Sequence, residues 1–202
     1  MNSKILLGLL IGLMACSCKQ QITLKSGLLI DNSINRGINY TDPQGMDHSI
    51  RYIPITITND STVSIHVQIA FSKEYNYPHP HSEQQFKLIP LPLEWARDGA
   101  DISESMIDEL PAYIENPILK ETIEPGENMV LAIGSLYPRP AKTSGVLPRL
   151  LFAQSDTTTF PGCDWLMGKK PSSNQQIPLG LKIISGEKCM IIPCGEISYP
   201  KH

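Results

Sequence analysis

The chain has 202 residues, of which 17 are Lys or Arg and 20 are Asp or Glu, so its formal net charge is −3 at pH 7. The basic residues are scattered and only Lys169 and Lys170 are adjacent, which argues against nucleic acid as a partner. The length suits one domain of moderate size, and the 17 prolines favour short strands joined by turns over long helices.

The first fifteen residues have the pattern of a secretory signal. Lys4 supplies a positive charge, and the apolar stretch over residues 5–15 has the length of a signal-peptide core. A membrane-spanning helix needs about 20 apolar residues, so this stretch is too short to cross a bilayer. The small residue Ala15 stands directly before Cys16. We therefore predict a removable signal peptide over residues 1–15.

Leu13, Met14, Ala15 and Cys16 resemble the lipobox of bacterial lipoprotein precursors. The resemblance implies cleavage before Cys16, diacylglycerol on its thiol, and anchoring to a membrane on the extracytoplasmic side of the bacterial cell envelope. Cleavage before Cys18, which also follows small residues, is the alternative. The lipid on Cys16 is the only cofactor that the sequence predicts.

Composition divides the remaining chain into two parts. Residues 16–27 are mostly polar, and we expect them to form the lipidated N terminus and a tether. Residues 28–202 show no internal repeat, low-complexity tract or shift in composition. We therefore expect a single domain over residues 28–202.

The first predicted strands of this domain cover residues 38–41 and 49–58, with the turn formers Pro43 and Gly45 between them. Within the second strand, Pro54 cannot donate a backbone hydrogen bond. That strand is therefore expected to lie at a sheet edge or to carry a bulge.

The clearest strand covers residues 63–71, where apolar and polar side chains alternate as on a half-buried sheet. Later strands are predicted on similar grounds, each close to turn-forming residues. They cover residues 122–123, 129–137, 147–152, 177–184, 188–192 and 197–199.

One helix is predicted in the stretch between Pro78 and Pro117. Asp101 and Glu104 form a capping-box pair, and Pro111 is expected to end the helix. The apolar residues that recur at helical spacing between these limits are Ile102, Met106, Ile107 and Leu110.

Two turns, one at Asn59 before the alternating strand and one at Pro125, Gly126 and Glu127 before another, resemble the pattern of immunoglobulin-like modules in bacterial envelope proteins. The repeated short strands themselves favour an antiparallel sandwich. The predicted fold class is therefore mainly β: an antiparallel immunoglobulin-like β-sandwich with one short inserted helix.

Three cysteines lie in the predicted domain, and export favours a disulfide among them. Cys189 and Cys194 are so close in sequence that an extended segment would place their Cα atoms about 16 Å apart, too far for a bond. Cys163 is therefore expected to pair with one of them, and Cys194 is favoured because both residues lie beside Gly or Pro. Three buried, unpaired thiols are the alternative.

His79 and His81 are the one suggestive metal-binding pair. In an extended, proline-flanked segment, imidazoles two residues apart point to the same side, as metal ligands often do. A third ligand is needed for a catalytic site, and short pairs of this kind are common in solvated loops. A loop without metal is therefore the competing interpretation.

Four aromatic residues are candidates for stacking against a ligand: Tyr75, Tyr77, Trp95 and Trp165. An exposed flat ring covers the apolar face of a sugar, and Trp165 follows a turn-like segment that would present it. Burial in the core is the competing interpretation, because large rings usually bury most of their area.

No Gly-x-Ser-x-Gly elbow, phosphate-binding loop or dinucleotide fingerprint is present, so the sequence gives no positive indication of an enzyme. The predicted function is that of a membrane-anchored, noncatalytic binding or structural module whose partner is an envelope protein or glycan. The alternative is a metal-binding protein or metal-dependent hydrolase that uses His79 and His81.

Overall fold

The fold is given by a computed structural model, in which thirteen strands and two helices are described. The structure describes residues 20–23, 27–77, 83–97, 103–140, 144–155, 159–165 and 176–200. The elements in chain order are β1 (Gln20–Thr23), β2 (Leu28–Asn32), β3 (Arg36–Thr41), β4 (Asp47–Asn59), β5 (Ile65–Ala70), β6 (Tyr75–Asn76), β7 (Gln85–Leu91), α1 (Leu93–Ala96), α2 (Glu104–Glu115), β8 (Ile118–Ile123), β9 (Asn128–Pro138), β10 (Val146–Ala153), β11 (Cys163–Trp165), β12 (Gln176–Ser185) and β13 (Lys188–Ser198).

The described strands form two sheets. The first sheet has seven strands in the order β1-β2-β4-β9-β7-β6, and β3 also pairs with β4. The second has six strands in the order β10-β12-β13-β5-β8, and β11 also pairs with β13. All pairs are antiparallel except β11 with β13, which is parallel. The prediction of a mainly β, antiparallel fold is confirmed.

The inner faces of the two sheets pack against each other. Ile30 and Ile55 of the first sheet share one buried cluster with Val67 and Leu181 of the second. Each of these side chains is 0–1% exposed. Fully burying such a side chain contributes roughly 1.5–3 kcal/mol, so this shared layer is the main source of stability.

The alternation of apolar and polar side chains predicted over residues 63–71 is present in β5. Ile65, Val67 and Ile69 are buried, whereas His66 and Gln68 between them are exposed. Successive side chains of a strand point to opposite faces, so the apolar set enters the core and the polar set covers the outer face of the second sheet.

Pro54 lies in the middle of the first sheet, so the prediction of an edge or bulge was wrong. It faces Ala132 of β9 on one side. On the other side β4 pairs with β2 over residues 55–59 and with β3 over residues 47–52, and Pro54 lies in the gap between them. The Pro54 carbonyl accepts a hydrogen bond from the Ser33 N–H at 2.9 Å. The N and C=O of one residue point to the same side of a strand, so the Pro54 nitrogen also faces this gap. Neither β2 nor β3 pairs with Pro54 there, so the missing N–H costs no ladder hydrogen bond.

The segment expected to be a tether contributes a strand. In β1, Gln20 lies opposite Asn32 and Thr23 opposite Leu29, which makes β1 an edge of the first sheet. Part of the predicted tether, residues 16–27, therefore belongs to the folded domain.

The two predicted strands at the C-terminal end form one strand, β13, with an irregularity. Its register against β12 shifts between Leu179 and Gly180, so Cys194 has no directly opposite residue in the register. Gly195 has a φ of 144°, and a Cβ there would overlap the Gln68 carbonyl oxygen. The bulge therefore requires glycine at this position.

Two helices, rather than one, are described in the predicted insertion. The N-cap of α2 is Ser103, whose side chain accepts a hydrogen bond from the Met106 N–H at 3.3 Å; Asp101 lies outside the described residues. Pro111 lies inside α2 and does not end it. The helix continues because its apolar residues pack on the first sheet, and such packing outweighs local propensity.

Candidate functional site

The outer face of the first sheet is covered by the two helices. Trp95 of α1 and Leu110 of α2 are 1% and 0% exposed and share a buried cluster with Ile50 and Tyr52. The Trp95 ring meets Tyr52 edge to face at a centroid distance of 5.4 Å. The predicted ligand-stacking role of Trp95 was therefore wrong, because the helix places this ring in the core.

Tyr75 and Tyr77 pack around Phe86. The Tyr75 ring stacks on Phe86 at 5.5 Å, and the Tyr77 ring meets it edge to face at 5.6 Å. Tyr77 is only 4% exposed. The Tyr75 hydroxyl accepts a hydrogen bond from the Ser72 N–H at 2.9 Å, and burial raises the pKa of Tyr75. The prediction that these two residues join the tryptophans in one stacking surface was therefore wrong.

Trp165 alone among the four candidates presents a large exposed ring. Its side chain is 44% exposed on β11, at the outer face of the second sheet. The ring meets Phe152 edge to face at a centroid distance of 6.2 Å, and Phe160 packs on Phe152 at 4.6 Å. We call Phe152, Phe160 and Trp165 the aromatic platform.

The backbone beneath the platform explains its position. Phe152 lies opposite Gly180 in the β10–β12 pairing, and a Cβ on Gly180 would lie 2.5 Å from Cζ of Phe152. The absence of a side chain at Gly180 therefore gives the ring its place on the sheet. Beside it, the Lys182 ammonium lies 5.2 Å from the centroid of the Phe160 ring, within cation–π range.

A disulfide holds β11 to β13. It joins Cys163 to Cys189, which are directly opposite in the parallel pairing, so the predicted bond between Cys163 and Cys194 was wrong. Cys194 is buried in the main core as a free thiol, and burial raises its pKa. Side-chain alternation along β13 directs Met190, Ile192 and Cys194 inward, whereas Cys189 faces Cys163.

A polar groove lies on the outer face at the other end of β13. It has a volume of about 440 Å³, and its floor is built from two rows of side chains across β13, β5 and β8. Nδ1 of His66 and Oγ1 of Thr122 are 2.9 Å apart. The two rows are Ser198–His66–Thr122 and Glu196–Gln68–Lys120.

The aromatic platform and the polar groove share one sheet face. Ile191, opposite Trp165, packs with Phe152, whereas Glu196 lies five residues further along β13 in the groove. At about 3.3 Å per residue, Ile191 and Glu196 are roughly 16 Å apart. The outer face of the second sheet thus combines an aromatic end with a hydrogen-bonding end.

The β3–β4 turn is a second cluster of polar side chains. The Asp42 carboxylate accepts hydrogen bonds from the Gln44 N–H at 3.0 Å, the Met46 N–H at 2.8 Å and Nε2 of His48 at 2.8 Å. The His48 bond is the main cause that lowers the pKa of Asp42. Nδ1 of His48 is buried without a hydrogen-bond partner among the described residues. These bonds close the predicted turn and have a structural role.

The predicted metal pair, His79 and His81, and the predicted lipidation site, Cys16, lie outside the described residues. Within the described residues, no group of three or more His, Cys, Asp or Glu side chains could hold a metal ion. In the same part of the chain, no helix is long and apolar enough to cross a membrane.

Sequence reasoning identified Trp165 but missed Phe152, Phe160 and the groove. The alternation in β5 already placed His66 and Gln68 on a polar face, and this was the only signal for the groove. Comparison with protein-family models, curated proteins and solved structures finds no match for this chain.

Proposed function

We propose that this protein is a bacterial lipoprotein, anchored to an envelope membrane through Cys16, whose extracytoplasmic domain binds a glycan without catalysing a reaction. The observation that carries the binding role is the exposed ring of Trp165. The support for the anchor is the sequence from Leu13 to Cys16 and its resemblance to the lipobox.

The aromatic platform suits a sugar because its exposed ring is already held in place. Trp165 lies two residues after Cys163, whose disulfide ties β11 to β13, and the indole packs nearly perpendicular to the ring of Phe152. A ring fixed before binding loses little conformational freedom when a ligand covers it. The apolar face of a pyranose stacks on such a ring, while Lys182 nearby offers donors to its hydroxyls.

Glycan-array binding of the full-length protein in detergent, followed by calorimetry on the sugars retained, tests this role. We expect Trp165→Ala to weaken binding by about thirtyfold, as loss of a central aromatic anchor does. Leu93→Ala is the matched control, because Leu93 is also exposed, at 39%, but lies in α1 on the first sheet. No glycan binding, or equal binding by both variants, would contradict the proposal.

The anchor is tested separately by metabolic labelling with a radioactive fatty acid. We expect the wild type and Cys18→Ser to incorporate the label and Cys16→Ser to lack it. Because β1 begins at Gln20, the chain between Cys16 and the sheet spans at most about 14 Å, so the lipid would hold the domain close to the membrane. Label retained in Cys16→Ser and lost in Cys18→Ser would move the anchor to the alternative site.

We further infer that the two sheets form a sandwich of the immunoglobulin-like class. The support is the shared inner layer and the chain path, which passes between the sheets at β4 to β5, β5 to β6, β7 to β8, β8 to β9 and β9 to β10. Consecutive strands in opposite sheets are typical of such sandwiches.

A further inference from the structure

The strands β10 and β8 lie at the two ends of the strand order in the second sheet, and the β10 edge is sealed. The buried Asn32 side chain donates to the Leu151 carbonyl at 2.9 Å and accepts from the Leu151 N–H at 2.8 Å. Asn35 donates to the Pro148 carbonyl at 2.8 Å, and Ser135 donates to the Val146 carbonyl at 2.5 Å. Side chains of the first sheet and its β2–β3 loop therefore occupy the backbone groups that an edge strand would otherwise offer to another chain.

The β8 edge has the opposite character, which follows from its register. The Phe71 N–H donates to the Pro117 carbonyl at 3.0 Å, so the backbone groups of residue 117 point towards β5. Bonded and non-bonded pairs alternate along an antiparallel ladder. The N–H and C=O groups of Ile118, Lys120 and Thr122, which lie opposite Ala70, Gln68 and His66, therefore point away from β5.

Among the described residues, one of these outward groups is hydrogen-bonded. The Ile118 N–H donates to the Asn116 carbonyl at 2.8 Å. No other described residue bonds the outward backbone groups of Lys120 or Thr122, and both side chains are exposed. Ile118 is 47% exposed beside them. An edge with free backbone groups and an exposed apolar side chain is a template for another strand.

A second copy of this chain is a poor occupant of the edge. Only the even-numbered residues of β8 face outward, so a two-fold-related β8 strand must pair residues of matching parity. The two alignments that overlap most of β8 then place Lys120 against Lys120 or Glu121 against Glu121. Like charges directly opposite each other destabilise a strand pair, and other alignments use half of the strand or less.

We propose that the free edge of β8 accepts an extended peptide segment of another protein as an additional antiparallel strand. The charges of β8 specify the partner: an acidic residue lies opposite Lys120, and the basic residue that precedes it in the peptide lies opposite Glu121. The two residues that follow are apolar and lie beside Leu119 and the exposed Ile118. This site is separate from the aromatic platform, so either proposal can fail alone.

A capped peptide of sequence Val-Thr-Lys-Glu-Val-Ile-Thr is the probe, and the isotope-labelled full-length chain in detergent is the receptor. In the free protein, we expect the amides of Lys120 and Thr122 to exchange with solvent at least about a hundredfold faster than that of Glu121, which faces β5. Saturating peptide should protect the Lys120 and Thr122 amides and leave Glu121 unchanged.

Matched peptides test the charge pattern. Exchanging the adjacent Lys and Glu of the probe should weaken binding about tenfold, because two favourable cross-strand pairs become unfavourable. Lys120→Glu should weaken binding of the original probe, and a probe with Lys in place of its Glu should restore it. N-methylation of the probe's Glu, whose N–H faces β8, should abolish binding, whereas N-methylation of its Lys, whose N–H faces away, should not.

Three outcomes would overturn the proposal. The first is protection of the Lys120 and Thr122 amides in the free protein at all protein concentrations, which would show a sealed edge. The second is protection of these two amides that develops as the protein concentration rises, which would identify a second copy of the chain as the occupant. The third is that the probe at about 1 mM leaves the exchange rates of both amides unchanged, or that the peptide with its Lys and Glu in reversed order binds as well as the probe.

Discussion

The outer faces of the two sheets differ in what covers them. On the first sheet the helices bury the outer face, and Trp95 is 1% exposed. On the second sheet the described residues leave much of the outer face uncovered, and Trp165 is 44% exposed beside a polar groove. The same residue type is a core residue on one face and a surface residue on the other.

The strands themselves show why one face needs a cover. In β9, a central strand of the first sheet, seven consecutive residues from Leu131 to Tyr137 are buried, so both faces are shielded from water. In β5, apolar and polar residues alternate, so one face tolerates water. A cover is therefore needed where both faces of a strand are apolar, and the strand remains available for binding where one face is polar.

Because one tryptophan is buried and the other exposed, replacing them should have unequal effects on the free energy of unfolding. Trp95→Ala should lower the free energy of unfolding by about 3–5 kcal/mol, because it leaves a cavity between the helix and the sheet. Trp165→Ala should change it by less than about 1 kcal/mol while weakening glycan binding. Urea unfolding of both variants measures the difference. Equal destabilisation would show that the exposed ring is structural.

Removing the disulfide should have the next largest effect. The bond closes a loop with a sequence separation of 26 residues, so replacing Cys163 and Cys189 by Ser should cost about 3.5 kcal/mol in the chain-entropy model. Glycan binding should weaken with it, because β11 loses its tie to β13. Cys194→Ala is the control that leaves the bond intact. A peptide map showing Cys163 bonded to Cys194 would contradict the structure.

Gly180→Ala should disturb the platform from below. Because the added Cβ would lie 2.5 Å from Phe152, the ring must move, and we expect a loss of about 1–3 kcal/mol together with weaker glycan binding. The same substitution in a Phe152→Leu background should cost less, since a smaller side chain leaves room for the methyl group. Equal costs in both backgrounds would rule out this contact as the cause.

The smallest effect is expected at the β3–β4 turn. Because the pKa of Asp42 is lowered in the folded protein, its ionised form stabilises the fold above the ordinary pKa of 3.8, and this contribution is lost as the pH falls below that value. Asp42→Asn should therefore be less stable than the wild type at neutral pH, with the difference shrinking in acid. Thermal unfolding between pH 7 and about pH 3 measures it. A pH-independent difference would show that the carboxylate charge has no role.

Local patterns predicted much of the fold and little of the site. The predicted strands at residues 38–41 and 49–58 correspond to β3 and β4, because alternation and turn formers are properties of neighbouring residues. The strands β1, β2, β6, β7 and β11 and the helix α1 were missed. Pro54 and Pro111 were assigned local roles that tertiary partners overrode: a gap between two strands accommodates the first, and packing on the sheet maintains the helix around the second.

By itself, the sequence determined the period of the strands and the polar character of one face of β5, since each depends on residues close together in the chain. The signal segment before Cys16 is likewise a local pattern and stays a prediction. Only the tertiary structure decided which cysteine pairs with Cys163, which tryptophan is exposed and which sheet edge is sealed. These outcomes depend on strand pairing, a covering helix and side chains that reach from one sheet to the other, which bring together residues that are far apart in sequence.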